Sequence, residues 1–340
     1  MKSFKLAFAA LTLLASASAA SAQTVEDFYK GKTLQMQIGY STGGGYDLYA
    51  RVLARHMGKH IPGRPTFVAQ NRPGAGSLVL ANWLYNVAPK DGTVMGTFAR
   101  GMAMEPLVGG DGTEFDANKF NWIGSVTNEV SICGFTAKSG IRTWNDMVTK
   151  AYTVGGTGSG SDTDVFPTIL KNMFGAKLKL VAGFPGGADV VLAVERGELD
   201  GRCGWSWSSV VSRNKALFDS KQVIPTIQIS LKKHPDLPDV PLVVEYARNA
   251  QELEALKLIL SRQTMARPFV APPGIPADRV KALRDAFDAT MKDREFLDEM
   301  AKADLEVQPV SGQEIANLVA EVYRSPKDVV ELAKKATADN

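Results

Sequence analysis

The chain reads as a two-lobed α/β protein, each lobe a mostly parallel sheet flanked by helices. Three observations predict this. Strand-like runs, turns and helix-like runs alternate, the order that builds a parallel sheet with covering helices. The alternation restarts after Asn121. Each half also carries a glycine-rich turn between a strand and a helix. The first is Gly39-Tyr40-Ser41-Thr42-Gly43-Gly44-Gly45-Tyr46 and the second Gly155-Gly156-Thr157-Gly158-Ser159-Gly160-Ser161-Asp162.

The elements follow in order. Leu34, Met36 and Ile38 alternate with Gln35 and Gln37, a strand pattern. Tyr49, Val52, Leu53 and Met57 then recur at helical spacing, and Asp47 stands where an N-cap would accept the first free amides. Residues 66–69 read as a strand, 77–87 as a helix and 94–98 as a strand. The apolar run 130–137 suits a strand that continues from one lobe into the next. Helices are expected over 144–151, 164–174 and 189–196, and strands over 152–154, 178–181, 199–203 and 223–229. A strand over 267–270 precedes helices near 277–291, 294–303, 312–324 and 327–336. Lobe one is then 23–124 plus 245–340, and lobe two 125–244.

Residues 1–22 read as a targeting segment. Lys2 and Lys5 precede an apolar run over 6–15 that is too short to span a bilayer. Ala20-Ser21-Ala22 fits the small-x-small cleavage rule, leaving Gln23 at the new N-terminus and the protein in the periplasm. Losing Lys2 and Lys5 takes the net charge from +3 to about +1. Such a balance gives no electrostatic case for nucleic acid or acidic membranes. The 45% apolar content suffices for real cores. Cys133 and Cys203 are the two cysteines; in an oxidising compartment they are either a disulfide or two buried thiols.

Exposed amides at a helix N-terminus bind anions, because they lack partners and the helix dipole is positive there. Two such turns, one per lobe, suggest an anion held between lobes. Rival chemistries are poorly served. Neither turn has the G-x-G-x-x-G spacing of a dinucleotide site, and no phosphate loop is present, so a nucleotide-binding enzyme stands as an alternative only. Gly204-Trp205-Ser206-Trp207-Ser208 nearly matches a nucleophile elbow, which would make Ser206 the centre of an exported hydrolase. That reading needs a base from His56, His60 or His234. His56 and His60 lie one turn apart without the acid of a metal motif, and read as a partly exposed helix face. No cofactor or metal is expected.

Several strings then resemble one family. Gly43-Gly44-Gly45-Tyr46-Asp47 is similar to the G-G-G-x-D of tripartite tricarboxylate transporter substrate-binding proteins, the Bug family. Asn71-Arg72-Pro73-Gly74-Ala75-Gly76 resembles its N-R-P-G-A-G signature. Gly186-Gly187 followed by Gly197-Glu198-Leu199-Asp200, and Ala271-Pro272-Pro273-Gly274-Ile275-Pro276, are similar to further strings. There are departures: Gly39-Tyr40 replaces Pro-Phe or Pro-Tyr, and Asp164 stands where histidine is common. The resemblance implies a type II-like periplasmic binding fold. Its lobes close on a small mono-, di- or aromatic carboxylate, which is passed to the membrane components of a tripartite transporter. It implies no catalysis, and a monomer is expected.

Carried onto this sequence, the ligand-binding residues are Tyr40, Ser41, Thr42, Gly43, Gly44, Gly45 and Tyr46 from the first turn. The second supplies Gly158, Ser159, Gly160, Ser161 and Asp162. Asp47 and Asn71 are structural. A second carboxylate would need a counter-charge. Arg100 and Arg202 follow or end strands, at the edge where open α/β sheets bind ligands. Phe184, Trp205 and Tyr46 are the candidate apolar walls.

Overall fold

The computed structural model describes residues 23–338; the targeting segment expected over 1–22 lies outside them. A six-stranded sheet holds β1 (Thr33–Ile38), β2 (Thr66–Asn71), β3 (Val94–Thr97), β4 (Asn121–Ser125), β10 (Pro268–Ala271) and β11 (Val310–Ser311), in the order β11-β4-β10-β3-β1-β2. A five-stranded sheet holds β5 (Ser131–Thr136), β6 (Tyr152–Gly155), β7 (Leu178–Val181), β8 (Gly201–Ser206) and β9 (Val223–Ile229), in the order β7-β6-β8-β5-β9. Both sheets are mixed. β1 pairs in parallel with β2 and β3, and β6 with β7 and β8, whereas β10, β11 and β5 run against their neighbours.

The helices that matter for the site are α1 (Gly45–Met57), α2 (Leu78–Asn86), α3 (Asp162–Phe174) and α4 (Gly187–Glu195). The other long helices are α5 (Ala250–Leu260), α6 (Ala277–Thr290), α7 (Arg294–Lys302), α8 (Gly312–Val322) and α9 (Lys327–Thr337). β1 buries Leu34, Met36 and Ile38, and α1 buries Tyr49, Val52, Leu53 and Met57, as their spacings predict. These side chains share one core with Leu283 and Phe287 of α6 and Phe296 of α7. Among the described residues no helix is long and apolar enough to cross a membrane.

The structure corrects three local expectations. The run at 130–137 does not continue between lobes. β5 lies wholly in the second sheet, and residues 126–130 make the crossing. β8 begins at Gly201, two residues later than expected, because Leu199 is drawn into the core beside Val190 and Val194. Asp47 is not the N-cap of α1; Gly44 is. Asp47 reaches back instead, accepting the Gly43 amide at 3.0 Å. It also accepts Arg51 Nε at 2.8 Å and Asn71 Nδ2 at 2.9 Å, so Asn71 ties the end of β2 to the turn.

β5 and β8 are antiparallel neighbours with a register shift next to Cys133, which brings Cys133 opposite Cys203. They form a disulfide across 70 residues of chain. Loop closure of that length restricts the unfolded chain by about 4 kcal/mol. The two crossings between the sheets bond to each other. The Ala266 amide donates to Thr127 O at 3.0 Å and the Glu129 amide to Gln263 O at 2.9 Å. Arg267 and Glu129, both buried, add an ion pair at 3.2 Å.

α9 packs on helix α3 of the second lobe, and α5 packs on α9. Asn172 of α3 donates to Ala338 O at 2.8 Å and Ala336 O at 3.2 Å. Tyr246 stacks on Trp144 at 4.0 Å.

Candidate functional site

A cleft of about 350 Å³ opens between the sheets, and three helix N-termini meet at it. α1 contributes Gly43, Gly44, Gly45 and Tyr46. α3 contributes Ser161, Asp162 and Thr163. α4 contributes Gly187 and Ala188. Each turn lies at the C-terminal end of a parallel strand, so the sheet directs its helix start into the gap. Gly45 must be glycine for space, since a Cβ there would stand 2.4 Å from Ser209 Oγ and 3.1 Å from Arg267 Nη2.

Four arginines line the same cleft: Arg100, Arg202, Arg213 and Arg267. The acids are Asp162 and Glu195. Arg100 and Arg202, equivalent in the sequence reading, have different surroundings. Arg100 is 2% exposed and donates to Asp162 Oδ2 at 2.6 Å through Nε and to Ser131 Oγ at 2.9 Å. Burial alone would lower its guanidinium, and the Asp162 carboxylate more than reverses that, holding it above its ordinary value. Arg202 donates to Gly187 O at 3.0 Å, and its Nε has no hydrogen-bond partner. No carboxylate pairs with it among the described residues. Burial pushes it down to about 10. A desolvated guanidinium without a counter-ion is a cost that an incoming anion removes.

The tyrosines form the first lobe's wall. Tyr40 stacks on Tyr46 at 4.9 Å, Arg267 lies over the Tyr46 ring at 4.9 Å, and the Arg100 amide donates to Tyr46 Oη at 3.0 Å.

The cleft gathers Tyr40, Gly43, Gly44, Gly45, Tyr46, Arg100, Ser161, Asp162 and Arg202 from the sequence-based set. Others go elsewhere. Ser41 turns to Asp189, and Thr42 is exposed outside. Gly158, Ser159 and Gly160 pack against the opposite lobe, with Ser159 Oγ donating to Glu105 Oε1 at 2.7 Å. Trp205 and Phe184 are not cleft walls. Trp205 lies behind Arg202, whose guanidinium sits over its ring at 5.4 Å. There Trp205 packs in a core with Ile132, Val190 and Phe218, against which Phe184 also rests.

Sequence reasoning missed Arg213, Arg267 and the start of α4. Gly186-Gly187 with Asp189 repeats the glycine-then-aspartate pattern of the first turn, a signal that was available. Arg213 comes from a π-helical turn, Val210–Asn214, and had none.

The rival chemistries lose their parts. Ser206 Oγ accepts from Arg100 and Arg267, both at 3.4 Å, and no histidine lines the cleft. His56 meets Glu299 at 2.6 Å, His60 meets Asp293 at 2.6 Å, and His234 meets Glu306 at 3.5 Å. The cluster of His56, Asp293 and Glu295 has ligand atoms within 4.8 Å of one another, and Lys59 Nζ already sits 2.7 Å from Asp293. In the second turn, where a phosphate would bind, the amides of Thr157 and Gly158 donate to Asp164 Oδ2 at 2.6 and 2.9 Å.

Residues 49–334 match the tripartite tricarboxylate transporter family receptor. A protein of Cupriavidus necator named "UPF0065 protein in gbd 5'region" is 25% identical over 95% of this chain and 94% of its own. The periplasmic binding protein BugD has the same fold, with a TM-score of 0.73 at 20% identity over 91% of this chain and 98% of its own. MatC of Rhodopseudomonas palustris, solved with malate, gives a TM-score of 0.71 at 18% identity over 88% and 99%. Rpa4515 of R. palustris, solved with adipate, gives 0.69 at 17% over 90% and 97%. Of these, BugD is by name a periplasmic binding protein. The chain belongs to the tripartite tricarboxylate transporter receptor family and is a solute-binding receptor of that family.

Proposed function

We propose that this receptor closes its lobes on a small dicarboxylate and releases it unchanged to the membrane components of its transporter. One carboxylate meets the amides at the starts of α1 and α4, from Gly44, Gly45, Tyr46, Gly187 and Ala188. The other meets Arg202, with Arg213 beside it. The observation that carries this reading is Arg202, a desolvated guanidinium on the cleft with no acid of its own. Malate in MatC and adipate in Rpa4515 support the ligand class. Ser161 and Asp162 shape the floor, Asp162 being engaged by Arg100. The mature protein begins at Gln23, resides in the periplasm and acts as a monomer. Its lobes are 23–124 with the later segment to about 326, and 125–244 extended by α9, which packs on α3, and by α5, which packs on α9.

Calorimetry with adipate and its mono-acid analogue hexanoate tests this. Arg202→Ala should lose about ten- to a hundredfold in adipate affinity, the worth of a charge-assisted hydrogen bond, and little for hexanoate. A screen of mono-, di- and tricarboxylates and aromatic acids by thermal shift locates the best ligand first, since a ligand of the folded state raises its stability. Equal adipate binding by parent and Arg202→Ala refutes the assignment.

A further inference from the structure

We propose that Ser41 and Asp189 form a latch that holds the lobes closed without touching ligand. Ser41 lies in the first glycine-rich turn, yet its Oγ donates to Asp189 Oδ2 at 2.6 Å and its amide to Pro185 O at 3.1 Å. Asp189 sits in the first turn of α4, on the other lobe. Neither residue lines the cleft, and both neighbour residues that do: Gly43 and Gly44 follow Ser41, and Gly187 and Ala188 precede Asp189. The latch therefore sets the separation of the α1 and α4 starts. They are already close, since a Cβ on Gly44 would stand 4.0 Å from the Ala188 amide. A hydrogen bond to an ionised acceptor is among the stronger ones, and this one exists only in the closed arrangement. Opening the lobes breaks it and rehydrates both groups, so the latch biases the open–closed equilibrium and, through it, every ligand's affinity.

Spin labels at Lys90→Cys and Lys179→Cys, exposed positions on opposite lobes, report lobe separation in the ligand-free mature protein. The native cysteines are disulfide-bonded and do not take the label. The parent should give the closed distance. Ser41→Ala and Asp189→Ala should lengthen and broaden it, and the double variant should open no further than either single one. Asp189→Asn, which keeps an acceptor, should stay closed. Adipate affinity should fall about tenfold in the two alanine variants and be retained in Asp189→Asn. That readout rests on the proposed ligand; the distances do not. Unchanged distances in Ser41→Ala and Asp189→Ala, or a ligand-free parent already open, overturn the latch. Lengthened distances in the two alanine variants, with a closed parent that fails to bind adipate, uphold the latch and count against the ligand alone.

Discussion

The two glycine-rich turns look alike as sequence and do different work. In the first, Gly43, Gly44 and Gly45 line the cleft, and Asp47 takes one amide, that of Gly43. In the second, Asp164 takes the amides of Thr157 and Gly158 and the hydroxyl of Ser161. That turn then docks on the opposite lobe, where the Gly76 amide donates to Thr157 O at 2.7 Å. Gly158 is glycine because a Cβ would fall 2.4 Å from the Gly76 nitrogen. The start of α4, with Gly187 and Ala188 on the cleft, takes the place expected for the second turn. A glycine-rich turn is an anion site only where its amides stay unpaired. An aspartate a few residues on decides that, and so does a neighbouring backbone that comes close enough to cover them.

The same contrast separates the two arginines, and the largest expected effect tests it. Arg100 is buried against Asp162, so Arg100→Ala leaves that carboxylate with the more distant Arg262, at 3.7 Å. Breaking a buried pair from one side costs about 3–5 kcal/mol. Arg202 has no such partner, so Arg202→Ala should leave stability intact while losing adipate. Urea denaturation of both variants checks this. Comparable stability losses would mean that Arg202 is structural too, and the division between framework and ligand arginines would fail.

A smaller effect tests the turns directly. Asp164→Ala leaves the Gly158 amide without its acceptor and loosens the hydroxyl cluster of Thr157, Ser161 and Thr163, at about 1–3 kcal/mol. Asp164→Asn keeps an acceptor and should lose less. Neither should alter adipate affinity much, because Gly158, Ser159 and Gly160 face the other lobe and Ser161 and Asp162 only shape the floor. Tighter adipate binding by Asp164→Ala would show that the turn is an anion site which the aspartate merely occupies.

The legible parts of the fold were those governed by local spacing. β1 and α1 follow from alternation passing into helical recurrence, and the resemblance supplied the family. What lay beyond reach depended on distant partners or on one residue of register. The pairing of Arg100 with Asp162 spans 62 residues. Trp205 was expected on the cleft because it lies beside Arg202; β8 runs on to Ser206, and Trp205 joins the core behind it. α5 was overlooked although Asn249 accepts the Glu252 amide at 2.9 Å, a cap visible in the sequence. Val130 was drawn into the strand because it extends the apolar run of β5, although it belongs to the crossing.

The smallest expected effect concerns a contact between lobes away from the turns. Around the cleft the lobes meet through the glycine-rich turns, the Ser41–Asp189 contact and the Arg100–Asp162 pair. His234, from the loop after β9, adds a titrating group, with Nε2 3.5 Å from Glu306 Oε1 of the other lobe. The hydrogen bond to Glu306 raises its pKa above the ordinary value, against the opposing effect of burial. A raised folded-state value means that the stabilisation is complete below about 6.5, the unfolded pKa, and is lost as pH rises through the folded value. Glu306 and Asp236 are partly open to solvent, so the contact should contribute less than about 1 kcal/mol. Melting curves of parent and His234→Gln between about pH 5 and 8 should differ most at the acid end and converge at the alkaline end. The lobe distance read by the Lys90 and Lys179 labels should stay closed across that range, because the turns hold it. A lobe distance that opens with rising pH in the parent, and not in His234→Gln, would move the main interlobe contact from the glycine turns to His234.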